Sequence, residues 1–104
     1  MLFRSEELMR SRYCGYALGL APYLIETTHT MSRPLDLEVW RSEIDVFCQK
    51  TDFIGLTIEE AEGNFVTFTA KLTSEGVDVS FCEKSLFSKE GGRWVYVSGE
   101  IHHI

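Results

Sequence analysis

The chain has 104 residues, of which 44% are hydrophobic and 25% are charged, and its formal net charge is -6. This length and balance predict one folded domain, residues 1–104, around a single hydrophobic core, and they exclude a disordered or fibrous protein. The acidic balance argues against broad nucleic-acid binding, which needs a basic surface to neutralise phosphates. No apolar run reaches membrane-spanning length, and the opening MLFRSEELMR has charges where a signal peptide needs an apolar stretch. We therefore expect a cytoplasmic protein with no membrane partner.

The cysteine pattern predicts neither a disulfide framework nor a metal site. Cys14, Cys48 and Cys82 are odd in number, lie far apart and form no C-x-x-C pair. We expect them to be small apolar core residues, kept reduced in the cytosol. His102 and His103 are neighbours on an extended segment and so face opposite ways, which favours a polar terminus over a metal pair. No cofactor is predicted, because the sequence has no G-x-S-x-G, phosphate-binding glycine loop or H-E-x-x-H motif.

Residues 5–20 have the periodicity of an amphipathic helix. Ser5 is the expected N-cap, and Glu6 and Glu7 suit the positive end of the helix dipole. Gly15 and Gly19 fall inside the predicted helix at a propensity cost of about 1 kcal/mol each, which favours a close approach of this helix to the sheet. The apolar stripe at steps of four, three and four consists of Met9, Tyr13, Tyr16 and Leu20.

Two further helices are predicted before the sheet. Pro22 suits the first turn of a short second helix that ends near His29. A loop is expected at Ser32 to Pro34, and Asp36 is the expected cap of the third helix. The buried face of that third helix is predicted to consist of Leu37, Trp40, Ile44 and Phe47.

After Thr51 the apolar residues alternate, which is typical of strands. Four strands are predicted. The apolar rows of the first three are Ile54, Leu56 and Ile58; Val66, Phe68, Ala70 and Leu72; and Val77, Val79 and Phe81. The fourth strand runs from Arg93 to Ser98 around Trp94 and Tyr96. Glycine-containing links at residues 62–64, 74–76 and 90–92 predict hairpins between them. The predicted fold class is therefore α+β, with N-terminal helices packed on a curved four-stranded antiparallel sheet and a pocket between the two layers.

The third strand places polar residues in an apolar row. Glu83 and Ser85 share a face with apolar neighbours because side chains alternate along a strand, and a buried carboxylate is costly without a partner. One interpretation is a pocket floor, with Glu83 as general base or ligand anchor and Tyr13 and Ser85 as hydrogen-bond donors. The other is structural: a salt bridge to Arg12, or a bulge that turns Glu83 to solvent.

His29 and the first-helix arginines also have two interpretations each. His29 can satisfy the last carbonyls of the second helix, or act as an acid or base at the rim of a pocket. Arg4, Arg10 and Arg12 can be the solvated side of the first helix, or a local basic patch for nucleic acid.

Several runs of residues, taken together, resemble the YchJ-like bacterial proteins. They follow the order of that family over nearly the whole chain: residues 8–14 (LMRSRYC), 23–24 (YL), 27–29 (TTH), 54–57 (IGLT), 83–87 (EKSLF) and 92–99 (GRWVYVSG). The resemblance implies the central domain of the family, which has a nuclear-transport-factor-two-like (SnoaL-like, cystatin-like) cone fold. That fold agrees with the order of helices and strands predicted from the residues.

The chain also departs from the family pattern. The cysteine-rich SEC-C zinc motifs that flank this domain in family members are not among the 104 residues, so a partner contact through them is not predicted. Residues 28–30 read Thr-His-Thr where the family tends to have Trp-His-Pro, so only His29 carries over. Cys82 replaces a common histidine and Leu86 a common arginine. A catalytic pair of that histidine with Glu83 therefore does not carry over.

Three functions are compatible with these features. The first is a non-catalytic binding or interaction domain for an unidentified protein or small molecule; one version is a homodimer through the outer sheet face, where Thr67, Thr69, Lys71 and Phe65 are expected. The second is an isomerase, dehydratase or hydrolase that uses Glu83, Tyr13 and His29. The third, a nucleic-acid or ribosome accessory module, rests on the arginine cluster alone. We prefer the first because no convergent acid–base set is left. The candidate pocket residues are Arg12, Tyr13, His29, Glu83 and Ser85.

Overall fold

The structure is a computed structural model that describes residues 4–102. Helices come first and strands second, as predicted. The helical part consists of α1 (Ser5–Ala17), α2 (Ala21–Glu26), a 3₁₀ turn (Thr30–Ser32) and α3 (Leu37–Lys50). The strands are β1 (Thr51–Glu62), β2 (Phe65–Ser74), β3 (Val77–Asp78), β4 (Phe81–Glu90) and β5 (Arg93–His102). His103 lies outside the described residues.

The sheet is an antiparallel meander in the order β1-β2-β4-β5, and the two-residue β3 pairs only with β2. Two-residue links join the hairpins, at residues 63–64, 75–76 and 91–92, so the glycine signals in the sequence identify the turns correctly. The α+β fold class, with helices on one face of an open antiparallel sheet, is confirmed. Among the described residues, no helix has the length and hydropathy needed to cross a bilayer.

The core lies between α1 and the inner face of the sheet, which is the face turned towards the helices. The predicted row of β2 is buried throughout: Val66, Phe68, Ala70 and Leu72. Leu8 and Met9 of α1 pack against it, together with Phe87 of β4. A second, smaller cluster joins α2 to α3 through Ala21, Leu24 and Ile44.

The start and end of α1 differ from the prediction. Ser5 is the first helical residue rather than the cap, and its hydroxyl donates to the Gly63 carbonyl at 3.0 Å. The helix ends at Ala17, and Gly19 follows it with a φ of +70°, a left-handed conformation that suits the end of a helix. Gly15 is inside the helix, but its close approach is to α2 rather than to the sheet. A Cβ at this position would lie 3.2 Å from the Tyr23 ring.

The helix signals further along the chain are confirmed in part. Pro22 lies in the first turn of α2, and Asp36 caps α3 by accepting a hydrogen bond from the Val39 amide at 3.1 Å. The predicted apolar face of α3 is not buried as a whole, because Leu37 and Phe47 are exposed and only Ile44 is buried.

Two strands also deviate from simple alternation. In β1, irregularities at 53/55 and 58/60 break the register with β2. Ile54 is therefore 63% exposed, and Phe53 joins Leu56 and Ile58 against the core instead. The predicted third strand is interrupted at residues 79–80. The Val79 amide still donates to the Leu72 carbonyl at 3.0 Å, but the Leu72 amide donates to the Ser80 hydroxyl, also at 3.0 Å, rather than to a backbone carbonyl.

Of the three cysteines expected in the core, only Cys48 packs against a core cluster, and it is not fully buried. Cys14 is exposed, and Cys48 and Cys82 are only partly buried; all three are free thiols. Cys14 points away from the sheet because the stripe of α1 that packs inward contains Met9 and Tyr13 rather than the residue after Tyr13.

Candidate functional site

A cavity of about 410 Å³ opens between α1, α3 and the inner face of the sheet. Its walls are mainly aromatic: Tyr13, Tyr16, Trp40, Phe47, Phe53, Phe68, Phe81 and Tyr96. Three ionisable side chains other than tyrosine also line it, namely Arg12 from α1, Glu43 from α3 and Glu83 from β4. The pocket predicted between helices and sheet is therefore present, and it combines an apolar wall with a few polar groups.

Arg12 is the buried cation of the cavity, with only 5% of its surface exposed. Its Nη1 donates to the Leu24 carbonyl at 2.9 Å, to the Thr27 hydroxyl at 2.7 Å and to the Thr28 hydroxyl at 3.3 Å. The guanidinium carbon lies 4.8 Å from the centre of the Tyr96 ring, within cation–π range. The prediction that Arg12 belongs to a solvated basic face is wrong. Only Arg4 and Arg10 are exposed, and both pair with α1 glutamates.

No anion neutralises Arg12 at close range. Among residues 4–102, no carboxylate oxygen lies within 4.0 Å of its nitrogens, although Glu83 lines the same cavity. Burial lowers the pKa of the Arg12 guanidinium, and its neighbours Tyr16 and Tyr96 oppose that effect. An arginine nevertheless keeps its charge in proteins, so the cavity holds a cation whose hydrogen bonds to described residues are all made to neutral groups.

Glu83 faces the cavity from β4 and is held by hydroxyl groups. Ser85 Oγ, two residues along the same strand face, donates to Glu83 Oε2, and Tyr96 Oη donates to the same oxygen at 3.3 Å. Ser85 itself is fully buried and does not line the cavity. Neither structural interpretation of Glu83 holds, since it forms no salt bridge with Arg12 and is not turned to bulk solvent.

The tyrosine hydroxyls complete the polar part of the site. Burial raises the pKa of Tyr96, and the nearby Glu83 carboxylate raises it further; burial also raises the pKa of Tyr16 and Tyr13. The Tyr13 hydroxyl is buried without a well-aligned hydrogen-bond partner among the described residues, although the Gly55 backbone partly offsets the rise in its pKa. The Tyr13 ring packs edge-on against Phe53 at 5.7 Å. These phenols remain protonated donors at neutral pH.

His29 lies outside the cavity. Its Nδ1 accepts a hydrogen bond from the Met31 amide at 3.0 Å and so caps the 3₁₀ turn, while its Nε2 lies 3.6 Å from Glu90 at the β4–β5 hairpin. Three of the five candidate residues, Arg12, Tyr13 and Glu83, therefore line one cavity. Ser85 does not line it but donates a hydrogen bond to Glu83, and His29 lies apart from the other four.

Sequence reasoning missed Tyr96 and Trp40 as cavity residues. Tyr96 reaches the site because it pairs with Phe87 across β4 and β5, after an irregularity at 86/87 that shifts the register by one residue. Without that irregularity the alternation of β5 alone would not orient it. Trp40 does pack against the Ala21, Leu24 and Ile44 cluster, as the helical spacing predicts, but it also lines the cavity, which the spacing does not predict.

The fold and cavity define a class: α+β domains of the nuclear-transport-factor-two-like type, in which helices cover one face of an antiparallel meander. Within that class, residues 4–99 match the family described as "YchJ, middle NTF2-like domain". The chain belongs to this family.

A solved structure supports the same assignment. The chain is similar to RPA3114, a SEC-C motif containing protein from Rhodopseudomonas palustris, whose structure was determined in solution. The two share 35% sequence identity, with a TM-score of 0.77 over 93% of this chain and 77% of that one.

The departure from the family pattern at Cys82 does not change the set of residues that line the cavity. Cys82 precedes Glu83 on β4 and therefore projects from the opposite face of the strand, and it is not among the residues that line the cavity. In this chain, a side chain at that position would not share the cavity with Glu83.

Proposed function

We propose that this chain is a non-catalytic binding domain that takes a small organic molecule into the cavity between its helices and its sheet. The observation that supports the proposal is Arg12: a buried cation on the wall of a 410 Å³ cavity with no carboxylate within 4.0 Å among the described residues. Cavities of about 300–1,000 Å³ with apolar walls and few polar groups are typical ligand sites.

The energetics of a buried charge favour such a ligand. Removing a guanidinium from water is costly, and the neutral oxygens of Leu24, Thr27 and Thr28 compensate at Nη1 alone. A ligand acceptor that reaches the remaining guanidinium nitrogens would complete the solvation of Arg12. The aromatic walls would at the same time bury the apolar part of the molecule.

The alternative is a small-molecule enzyme with Glu83 as its base, and the position of Glu83 on the cavity wall supports it. Two features favour binding without catalysis. The Glu83 Oε2 atom already accepts two hydroxyl donors, and His29, the expected second acid or base, lies outside the cavity. A base also needs a group that returns the proton, and the Tyr96 hydroxyl beside Glu83 is a weak acid because burial and the Glu83 carboxylate raise its pKa.

A homodimer through the outer sheet face receives less support. That face is largely polar: Thr67 and Thr69 are partly buried, Lys71 is exposed, and the Thr69 hydroxyl is engaged with Glu59 at 3.0 Å. Phe65 is exposed there, and the Lys84 ammonium lies 4.8 Å from its ring centre, which places a charge beside the one large apolar side chain among these four. Stable interfaces usually have a larger apolar centre.

Blocking the cavity tests the proposal. Ala70 lies in the cavity wall, and its neighbour Thr69 projects from the opposite face of β2, so Ala70→Met and Thr69→Met form a matched pair. The fluorescent probe 8-anilinonaphthalene-1-sulfonate should bind the wild type and Thr69→Met with a stoichiometry of one, and Ala70→Met should abolish that binding. Circular dichroism controls for folding. Absence of binding to the wild type, or equal binding by folded Ala70→Met, would refute the proposal.

Native mass spectrometry of the chain purified from its host separates binding from catalysis. A retained organic molecule that keeps its mass on incubation supports binding alone. Conversion of that molecule by the wild type and not by Glu83→Gln would establish the enzyme instead.

A further inference from the structure

The cavity presents an unpaired cation and an unpaired carboxylate oxygen at the same time. The three hydrogen bonds of Arg12 to the Leu24 carbonyl and the two threonine hydroxyls all leave from Nη1. The Tyr16 hydroxyl also lies within hydrogen-bonding reach of the guanidinium, but it is neutral, so no anion pairs with Nε or Nη2 among the described residues. Both donors to Glu83 converge on Oε2, so Oε1 has none. Arg12 and Glu83 both line the cavity, so a ligand inside it can approach their free atoms.

One aromatic ring separates these two charges. The Arg12 guanidinium lies over the face of Tyr96, 4.8 Å from its centre, and Glu83 Oε2 lies 3.3 Å from its hydroxyl. Arg12 and Glu83 are therefore too far apart to satisfy each other, yet close enough for one small molecule to contact both. A ligand that reaches both must carry an acceptor for Arg12 and, a few bonds away, a donor for Glu83.

We propose, building on the proposed function, that the cavity binds a free amino acid with a large apolar side chain. The carboxylate pairs with Arg12 Nη2 and Nε, the ammonium group donates to Glu83 Oε1, and the side chain packs against the aromatic walls around Trp40 and Phe53. Charge-assisted hydrogen bonds of both signs give this arrangement its selectivity.

The need to pair both Arg12 and Glu83 favours a zwitterion over a simple acid or amine. The charged residues of the cavity wall are Arg12, Glu43 and Glu83, so the wall has one more negative than positive charge. A carboxylic acid without an amine would bring another negative charge next to Glu83. An amine without a carboxylate would leave Arg12 without an anion. A zwitterion pairs both groups and adds no net charge.

Three ligands that differ in one charged group at a time test the proposal: L-phenylalanine, 3-phenylpropanoate, which lacks the ammonium, and 2-phenylethylamine, which lacks the carboxylate. In isothermal titration calorimetry at pH 7, L-phenylalanine should bind the wild type about ten-fold or more tightly than either analogue, because each analogue leaves one charged group of the wall unpaired. This comparison needs no variant.

A matched pair of substitutions assigns the ammonium contact. Glu83→Gln should weaken the binding of L-phenylalanine and strengthen that of 3-phenylpropanoate. The dissociation constants of the two ligands should then differ by no more than about three-fold. Glu59→Gln is the control: Glu59 also accepts a hydroxyl group, from Thr69 at 3.0 Å, but does not line the cavity. In Glu59→Gln the ratio of the two dissociation constants should equal that of the wild type.

The outcomes separate the two proposals. If 3-phenylpropanoate binds the wild type as tightly as L-phenylalanine, or if none of the three ligands binds while the naphthalene sulfonate probe still enters the cavity, the amino-acid assignment is wrong and the binding function stands. If that probe does not bind the wild type either, both proposals fail.

Discussion

Gly99 leaves the space that the Glu83 carboxylate occupies. A Cβ on Gly99 would overlap Glu83 Cδ and Oε2 and would lie 2.6 Å from Tyr96 Oη. In Gly99→Ala the carboxylate must move away, and the fully buried Ser85 hydroxyl then loses its acceptor. We expect the free energy of unfolding to fall by about 1–3 kcal/mol, the usual cost of a buried polar group left unpaired. Urea denaturation measures it.

The matched control for this substitution is Gly55→Ala. Gly55 is also a strand glycine, but a Cβ there would meet no atom within 4 Å. Its unfolding free energy should stay within about 0.5 kcal/mol of the wild type. Equal effects of the two substitutions would show that Glu83 does not rest against Gly99.

At the residue scale, local patterns predicted the groups on α1 and β4 but not their partners. Alternation along β4 placed Glu83 and Ser85 on one face, and the structure confirms this with a direct hydrogen bond. Arg12 and Tyr96 meet across 84 positions of sequence, and their contact depends on how β5 pairs with β4 and how α1 lies over the sheet. Register and helix docking are set by tertiary packing, which periodicity in a single segment does not report.

The β2–β3 turn contains a residue in an unfavourable conformation. Glu75 has a φ of +51°, and Gly76 follows with +80°, so both positions are left-handed as in a type I′ turn. A side chain in this region costs about 1–2 kcal/mol, and asparagine tolerates it better than glutamate. Glu75→Asn should therefore raise the free energy of unfolding by about 0.5–1 kcal/mol. Thermal unfolding followed by circular dichroism measures the change.

Glu75→Gln is the control for the loss of charge. Glutamine keeps the length and branching of glutamate, so its unfolding free energy should remain near that of the wild type. A stabilisation by glutamine equal to that by asparagine would assign the effect to charge rather than to backbone conformation.

At the element scale, the type and order of the helices and long strands followed from the sequence, whereas their irregularities did not. Glycine-containing links and the change from helical to alternating spacing identified the hairpins. The irregularity that exposes Ile54 and the Ser80 hydroxyl that interrupts the third strand have no periodic signal. The first is a local bend in β1, and the second is a side-chain hydrogen bond that competes with backbone pairing. Composition alone reveals neither.

At the scale of the whole molecule, one joint connects the helices to the sheet beside the cavity. Residues 27–29 pair with β5 at Tyr96: the His29 amide donates to the Tyr96 carbonyl and the Tyr96 amide to the Thr27 carbonyl, both at 2.8 Å. Arg12 binds the Thr27 and Thr28 hydroxyls and stacks on the same tyrosine. The position of α2 is thereby coupled to both walls of the cavity, so a ligand that contacts Arg12 should stabilise the chain as a whole.

The buried tyrosines make the stability of the molecule sensitive to alkaline pH. Burial raises the pKa of Tyr13, Tyr16 and Tyr96 above the ordinary 10.0, and it raises that of the Cys48 thiol as well. Above the ordinary value the unfolded chain loses these protons while the folded chain keeps them. The folded state then binds more protons than the unfolded state, so the free energy of unfolding falls as pH rises.

We expect this free energy to be nearly constant from pH 7 to 8 and to decrease from about pH 9 upwards, first through the Cys48 thiol and above about pH 10 through the tyrosines, by at most about 1.4 kcal/mol per pH unit for each proton that only the folded chain keeps. Urea midpoints at intervals between pH 7 and 11 measure the slope. Tyr96→Phe removes the phenol that is raised both by burial and by Glu83, and should make the slope shallower. A wild-type profile that stays flat to pH 11, or a slope unchanged in Tyr96→Phe, would contradict a protonated Tyr96 held between Arg12 and Glu83.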